Sequence, residues 1–68
     1  MQYLVEWASG AFQILTGEQL AKGIEEFSKA PNQIYRLAKG QAPKRYHAVI
    51  GKGYWYLEDD YGNHLMIL

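Results

Sequence analysis

The stretch that decides the fold is Tyr54-Trp55-Tyr56-Leu57-Glu58-Asp59-Asp60-Tyr61-Gly62-Asn63-His64-Leu65-Met66-Ile67-Leu68. Two runs rich in aromatic and aliphatic residues flank Asp60-Tyr61-Gly62-Asn63, a cluster of turn formers, and that arrangement predicts a β-hairpin. Just upstream, Tyr46-His47-Ala48-Val49-Ile50 is a further β-branched and aromatic run, and Gly51-Lys52-Gly53 turns the chain between it and Tyr54. A three-residue loop at 51–53 pairs Ile50 with Tyr54, Ala48 with Tyr56 and Arg45 with Asp59. A two-residue loop at Tyr61-Gly62 pairs Asp60 with Asn63, Asp59 with His64 and Leu57 with Met66. One face then holds Val49, Trp55, Leu57, Met66 and Leu68, ending in a row of Arg45, Asp59 and His64. The other holds Ala48, Ile50, Tyr54, Tyr56, Leu65 and Ile67. A slip of one residue at either turn exchanges the faces, because side chains alternate with period two.

Toward the N-terminus, Gly40-Gln41-Ala42-Pro43 reads as a loop, and Ile34-Tyr35-Arg36-Leu37-Ala38 reads as a strand, with a short helix capped by Asn32 as the alternative. A helix begins at Thr16, whose hydroxyl and the Gln19 side chain have capping-box spacing. Leu20, Ile24 and Phe27 follow as one apolar stripe, while Glu18–Lys22 and Glu25–Lys29 mark the wet side. Gly23 costs about 1 kcal/mol relative to Ala within a helix, and a close helix–sheet approach would explain it. Pro31-Asn32 ends the helix. Before it, residues 3–8 form a strand with Tyr3, Val5 and Trp7 on one face. Ser9-Gly10 turns the chain, and Ala11-Phe12-Gln13-Ile14-Leu15 returns it.

The predicted class is therefore α+β: an N-terminal β-hairpin, one α-helix, then an antiparallel β-meander of three to four strands. Both faces of the meander are apolar, and a helix with a three-residue stripe covers only part of one. Either the N-terminal hairpin curls over to close a small barrel, or aromatic surface stays exposed for a partner.

Length and composition agree with a single domain, 1–68. A chain of this size buries only about 60% of its unfolded surface. It has no Cys for disulfides or thiolate metal sites, so stability must come from apolar packing, to which ten aromatic residues contribute. No apolar run reaches the roughly 20 residues of a membrane span. The N-terminus lacks a basic region followed by an apolar stretch, which makes the cytoplasm the default expectation. The net charge is zero, but the charges are segregated. Residues 36–52 hold Arg36, Lys39, Lys44, Arg45 and Lys52 without an acid, whereas residues 53–68 hold Glu58, Asp59 and Asp60 without Lys or Arg.

No reaction is written in these residues. His47, Asp59 and His64 offer a two-imidazole, one-carboxylate set with no evident fourth ligand. Glu58, Asp59 and Asp60 sit beside a turn, where Asp bonds to its own backbone. Ser9, Thr16 and Ser28 have no base nearby in sequence, and Gly51-Lys52-Gly53 lacks Walker spacing and joins two strands. The expectation is no enzyme, with no catalytic or metal-binding residues and no cofactor. What stands out is the basic, aromatic stretch from Arg36 to Trp55. Aromatic residues and Arg are the usual anchors of protein contacts, and Lys44, Arg45, Tyr46, Tyr54 and Trp55 are the candidate binding residues. The alternatives are single-stranded nucleic-acid binding by the same basic and aromatic surface, and a structural subunit that self-associates, as a homodimer for instance.

The order of Tyr3 to Trp7, Ser9-Gly10, Phe12 to Leu15, the Thr16-Gly17-Glu18-Gln19 helix start, Ile34 to Leu37 and the closing Tyr-rich hairpin resembles the short α+β proteins abundant in bacteriophage and prophage genomes. The resemblance is one of style over the whole chain, without a diagnostic motif. It implies a non-enzymatic protein-binding module that acts in the host cytoplasm as an inhibitor or adaptor of a host enzyme.

Overall fold

The computed structural model describes residues 1–65. It is an α+β fold with one helix and six antiparallel strands. The strands are β1 (Gln2–Glu6), β2 (Phe12–Thr16), β3 (Gln33–Leu37), β4 (Lys44–Gly51), β5 (Tyr54–Glu58) and β6 (His64–Leu65), and the helix α1 (Gly17–Phe27) lies between β2 and β3. In space the order is β2-β1-β3-β4-β5-β6. The N-terminal hairpin does not curl over the meander. It joins the meander's edge, with β1 paired to β2 on one side and β3 on the other. Because β2 and β3 are both antiparallel to β1, they run parallel to each other, and α1 supplies the crossover that a parallel return requires. Among the described residues β2 and β6 do not pair, so the sheet is open rather than a barrel.

The helix starts as its capping box predicts. Gln19 N–H donates to Thr16 Oγ1 at 3.2 Å, and Thr16 N–H donates to Gln19 Oε1 at 3.0 Å. It ends at Phe27, four residues before Pro31, because Ser28 turns left-handed (φ 50°) and returns its N–H to Glu25 O. Leu20 and Ile24 are fully buried in one cluster with Tyr3, Val5, Trp7, Ile34, Tyr46 and Leu57. Phe27, predicted for the same stripe, is instead 60% exposed and touches the core only by setting its ring edge-on to Trp7 at 5.1 Å. Gly23 lies directly under the Trp7 ring, so the close approach inferred from that glycine is present. Asn32 ties the loop after the helix to the end of β1, its N–H donating to Glu6 O at 2.8 Å and its side chain to Trp7 O at 3.2 Å.

Both predicted turns of the meander are displaced by one residue. The first is a two-residue loop, Lys52-Gly53, with both residues at positive φ (50° and 84°), the signature of a type I′ turn. It pairs Gly51 with Tyr54, Ile50 with Trp55, Ala48 with Leu57 and His47 with Glu58. The second is a three-residue loop over 60–62, in which Gly62 N–H returns to Asp59 O and Asp59 N–H donates to Asn63 O. It pairs Leu57 with Leu65 and Glu58 with His64. Thus Arg45 does not face Asp59, and Asp59 does not face His64. Leu57 shares its face with Ala48, Trp55 and Leu65 rather than with Val49. The predicted positions of Met66, Ile67 and Leu68 lie outside the described residues.

Asp59 explains the second slip. Its side chain points to the helix side and is 4% exposed. Oδ1 accepts the backbone N–H groups of Tyr61 and Asn63, both at 2.9 Å, while Oδ2 accepts from Asn63 Nδ2 and from Lys44 Nζ, both at 3.1 Å. A carboxylate that ties its own turn together favours the longer loop. Burial opposes its charge, but the bonds from Asn63, Lys44 and Tyr61 outweigh burial and hold the carboxyl well below the usual carboxylate range. The hydrogen bond to Asp59 likewise raises the Lys44 ammonium above its ordinary value.

Candidate functional site

Period-two alternation sorts every strand residue onto one of two faces. On the helix side lie Tyr3, Val5, Leu15, Ile34, Tyr46, Ala48, Trp55, Leu57 and Leu65, all buried or partly buried in the core cluster. The helix contacts the sheet over β1 and β2 on this side. The opposite face carries no layer among the described residues, and it is far from polar. Ile14, Leu4, Tyr35 and Arg45 form one row across β2, β1, β3 and β4. Phe12, Glu6 and Gln33 form the next row. Phe12 and Ile14 are 60% and 59% exposed, and Leu4, Tyr35 and Leu37 are half-buried beside them.

The polar groups of this face are bonded to one another. Gln33 Nε2 donates to Glu6 Oε1 at 2.9 Å, and the Tyr35 hydroxyl donates to Gln33 Oε1 at 3.0 Å. Further along, Tyr54, Tyr56 and His64 make an aromatic file with ring centroids 5.9 and 4.4 Å apart. His64 lies 3.1 Å from Glu58, and His47 lies 3.4 Å from Asp60 and 3.5 Å from an Arg45 nitrogen. The open face is thus an apolar and aromatic surface edged by polar and ionisable side chains.

The five candidate binding residues do not share this surface. Arg45 and Tyr54 are on the open face, whereas Lys44, Tyr46 and Trp55 are on the helix side. Tyr46 is 4% exposed, a core residue, with Arg36 and Lys44 stacked over its ring at 5.7 and 5.5 Å. Lys44, Arg45 and Tyr46 are consecutive in one strand, so the pleat alone forbids all three from facing one partner. Phe12, Ile14 and Leu4, which sequence reasoning did not single out, belong to the open face together with Tyr35. The available signal was the second parity of each N-terminal strand, where Leu4, Phe12 and Ile14 are apolar although Tyr3, Val5 and Trp7 already fill the core.

Asp59 is buried on the helix side, whereas His47 and His64 are exposed on the other, which dissolves the set of His47, Asp59 and His64. Among the described residues no three His, Cys, Asp or Glu side chains are grouped closely enough to hold a metal. A pocket of about 220 Å³ lies between the first turn and the end of the helix, with Trp7, Ala8, Phe27, Lys29 and Ala30 in its walls. Its lining is mainly apolar, with Ser9 and Lys29 as its polar members. No helix is long and apolar enough to cross a membrane among the described residues. No protein-family model matches the chain, and no curated protein or solved structure is significantly similar to it.

Proposed function

We propose that this chain is a non-enzymatic protein-binding module that uses the open sheet face, with Phe12, Ile14, Tyr54 and Arg45 as its main contacts. The observation that carries this reading is the one-sided layering. Phe12, Ile14 and Tyr54 stand 49–60% exposed on a face that also shows Leu4, Tyr35, Leu37, Val49 and Tyr56. Large apolar side chains exposed on one uncovered face mark a candidate interaction surface. Large side chains on rigid strands lose little freedom on binding, so their burial is well spent at an interface. The resemblance to phage-type proteins extends the proposal to a host enzyme as partner, bound in the host cytoplasm by an inhibitor or adaptor.

One observation favours single-stranded nucleic acid instead. The Tyr54, Tyr56 and His64 file resembles a stacking platform for bases. Glu6, Glu58 and Asp60 lie on or beside the same face and oppose that reading. The test is affinity capture from a bacterial lysate, with nuclease in one arm, comparing the native chain with Ile14→Asp, Tyr54→Ala and, as a helix-side control, Lys44→Ala. Protein binding predicts a captured species that survives nuclease and high salt and is lost with the two open-face variants. Capture abolished by nuclease, or salt-sensitive retention of a labelled oligonucleotide, supports the nucleic-acid reading. Loss with Lys44→Ala alone places the contact on the wrong face.

A further inference from the structure

We infer that the free edge of β2 is a homodimerisation site at which a second copy of this chain adds its own β2 antiparallel, in a register centred on Gln13. The argument rests on backbone polarity, and the pairing takes Phe12 and Ile14 of the open face into the seam between the two copies. In an antiparallel ladder, residues alternate between those whose N–H and C=O point to one neighbour and those pointing to the other. Trp7 N–H donates to Ala11 O, and Glu6 O accepts from Asn32 N–H on the β3 side. These bonds set the alternation. Trp7, Val5 and Tyr3 serve β2, their partners Ala11, Gln13 and Leu15 answer them, and Phe12 and Ile14 point both backbone groups away from the sheet.

Only one two-fold register uses those groups without breaking bonds already made. Centred on Ile14, it would need the N–H of Thr16, which is held by Gln19 Oε1 in the capping box. Centred on Phe12, it would need the N–H of Gly10, which is held by Trp7 O in the turn. Centred on Gln13, Phe12 of each copy faces Ile14 of the other, and four main-chain bonds satisfy every outward group of both residues. The same pairing sets the Phe12 and Ile14 side chains beside each other on the open face, covering two residues now about 60% exposed.

The composition of β2 fits an identical strand. Phe12-Gln13-Ile14-Leu15-Thr16 carries no charge, so two copies meet without repulsion, and it lacks the Lys, Pro or bulge that protects exposed edges. The other edge differs: among the described residues β6 spans His64–Leu65, and its His64 lies 3.1 Å from Glu58.

The chain contains no Cys, so a single thiol reports on the register without background. Residues facing each other at a non-hydrogen-bonded position have Cα atoms about 4.5 Å apart, within disulfide range. Gln13→Cys should therefore oxidise to a covalent dimer, whereas Lys52→Cys should not. Analytical ultracentrifugation of the native chain should show a dimer with Kd below about 1 mM. Ile14→Pro removes an outward donor that the β1 ladder does not use, and it should sediment as a monomer with its helical circular dichroism unchanged. Should Ile14→Pro fail to fold, Gln13→Lys sets two ammonium groups across the two-fold axis and should weaken the dimer at least about tenfold. Tyr54→Ala, on the open face away from this edge, should leave dimerisation intact. A native chain that stays monomeric at about 1 mM, or a dimer in which Gln13→Cys does not cross-link, overturns the proposal.

Discussion

Gly23→Ala sets two well-defined effects against each other at one atom. In an exposed helix interior this change stabilises by about 1 kcal/mol, because Ala loses less backbone freedom than Gly on folding. Here a Cβ at position 23 falls 2.7 Å from Trp7 Cη2 and 2.9 Å from Cζ2, inside any tolerable carbon–carbon contact. The ring has little freedom to retreat. Its Nε1 donates to Gln13 Oε1 at 2.6 Å, Phe27 stands edge-on to it at 5.1 Å, and it is 8% exposed. Overpacking of this kind costs about 1–3 kcal/mol. Set against the propensity gain, the expected outcome is a net loss of up to about 2 kcal/mol. For a domain of this length each kcal/mol lowers the thermal midpoint by about 4–8 °C. The assay is urea unfolding followed by helical circular dichroism, for Gly23→Ala alone and in a Trp7→Phe background. Phe lacks the second ring that carries Cη2 and Cζ2, so in that background Gly23→Ala should become stabilising. The two backgrounds should differ by at least about 1 kcal/mol, as expected for residues in contact. A Gly23→Ala chain more stable than the native chain, with no coupling to position 7, would refute the claim that close approach selects the glycine.

Leu57→Ala should cost about 2–5 kcal/mol, since Leu57 is fully buried, whereas Ile50→Ala, two strand positions from Ala48 and 60% exposed, should stay within about 0.5 kcal/mol. The two midpoints from chemical denaturation test which of these two side chains the core encloses. Lys52→Asn should stabilise by up to about 1 kcal/mol, because Lys52 occupies a left-handed conformation that Asn adopts more readily in a type I′ turn; an unchanged urea midpoint would argue against the two-residue loop. Thr16→Ala should cost about 1 kcal/mol through loss of the helix cap, read as earlier loss of the helical signal on heating. For Asp59, the folded carboxyl is held below its ordinary value of 3.8. The sign follows: its contribution is fully present above that value and is lost progressively as pH falls below it toward the lower folded value. Asp59→Asn should therefore be less stable than the native chain at neutral pH and show a shallower acid limb, and parallel acid limbs would show that another carboxylate governs acid unfolding.

Local chemistry was legible wherever a bond partner lies within a few residues. Thr16 and Gln19 announce the helix start because their capping bonds span three residues, and Ser9-Gly10 and Asp60-Tyr61-Gly62-Asn63 announce turns because left-handed backbone needs glycine or its substitutes. Gly23 was legible as a contact, since a glycine in a helix calls for a steric reason. Loop lengths were harder to read. Gly51-Lys52-Gly53 suits a loop of either two or three residues, and the choice depends on Lys52 accepting positive φ. At the second turn it depends on Asp59 being buried with Lys44, a residue fifteen positions earlier. The candidate residues follow residue type along Arg36 to Trp55 rather than the alternation of the pleat, so Tyr46 and Trp55 of the helix side stand among them, and Phe12 and Ile14 lie outside that stretch.

By itself, then, the amino-acid sequence determined the class of the fold, the order of its elements and the capped start of the helix. These depend on hydrophobic period and on hydrogen bonds between near neighbours. Tertiary structure decided the rest. It inserted β1 between β2 and β3, chose which parity of each strand meets the helix and, among the described residues, left β2 with an unpaired edge. Those choices follow from packing one small helix against a sheet that is apolar on both sides. The energy of that packing is shared among residues as far apart in sequence as Tyr3, Ile24 and Leu57, which meet in one core only once the sheet has formed.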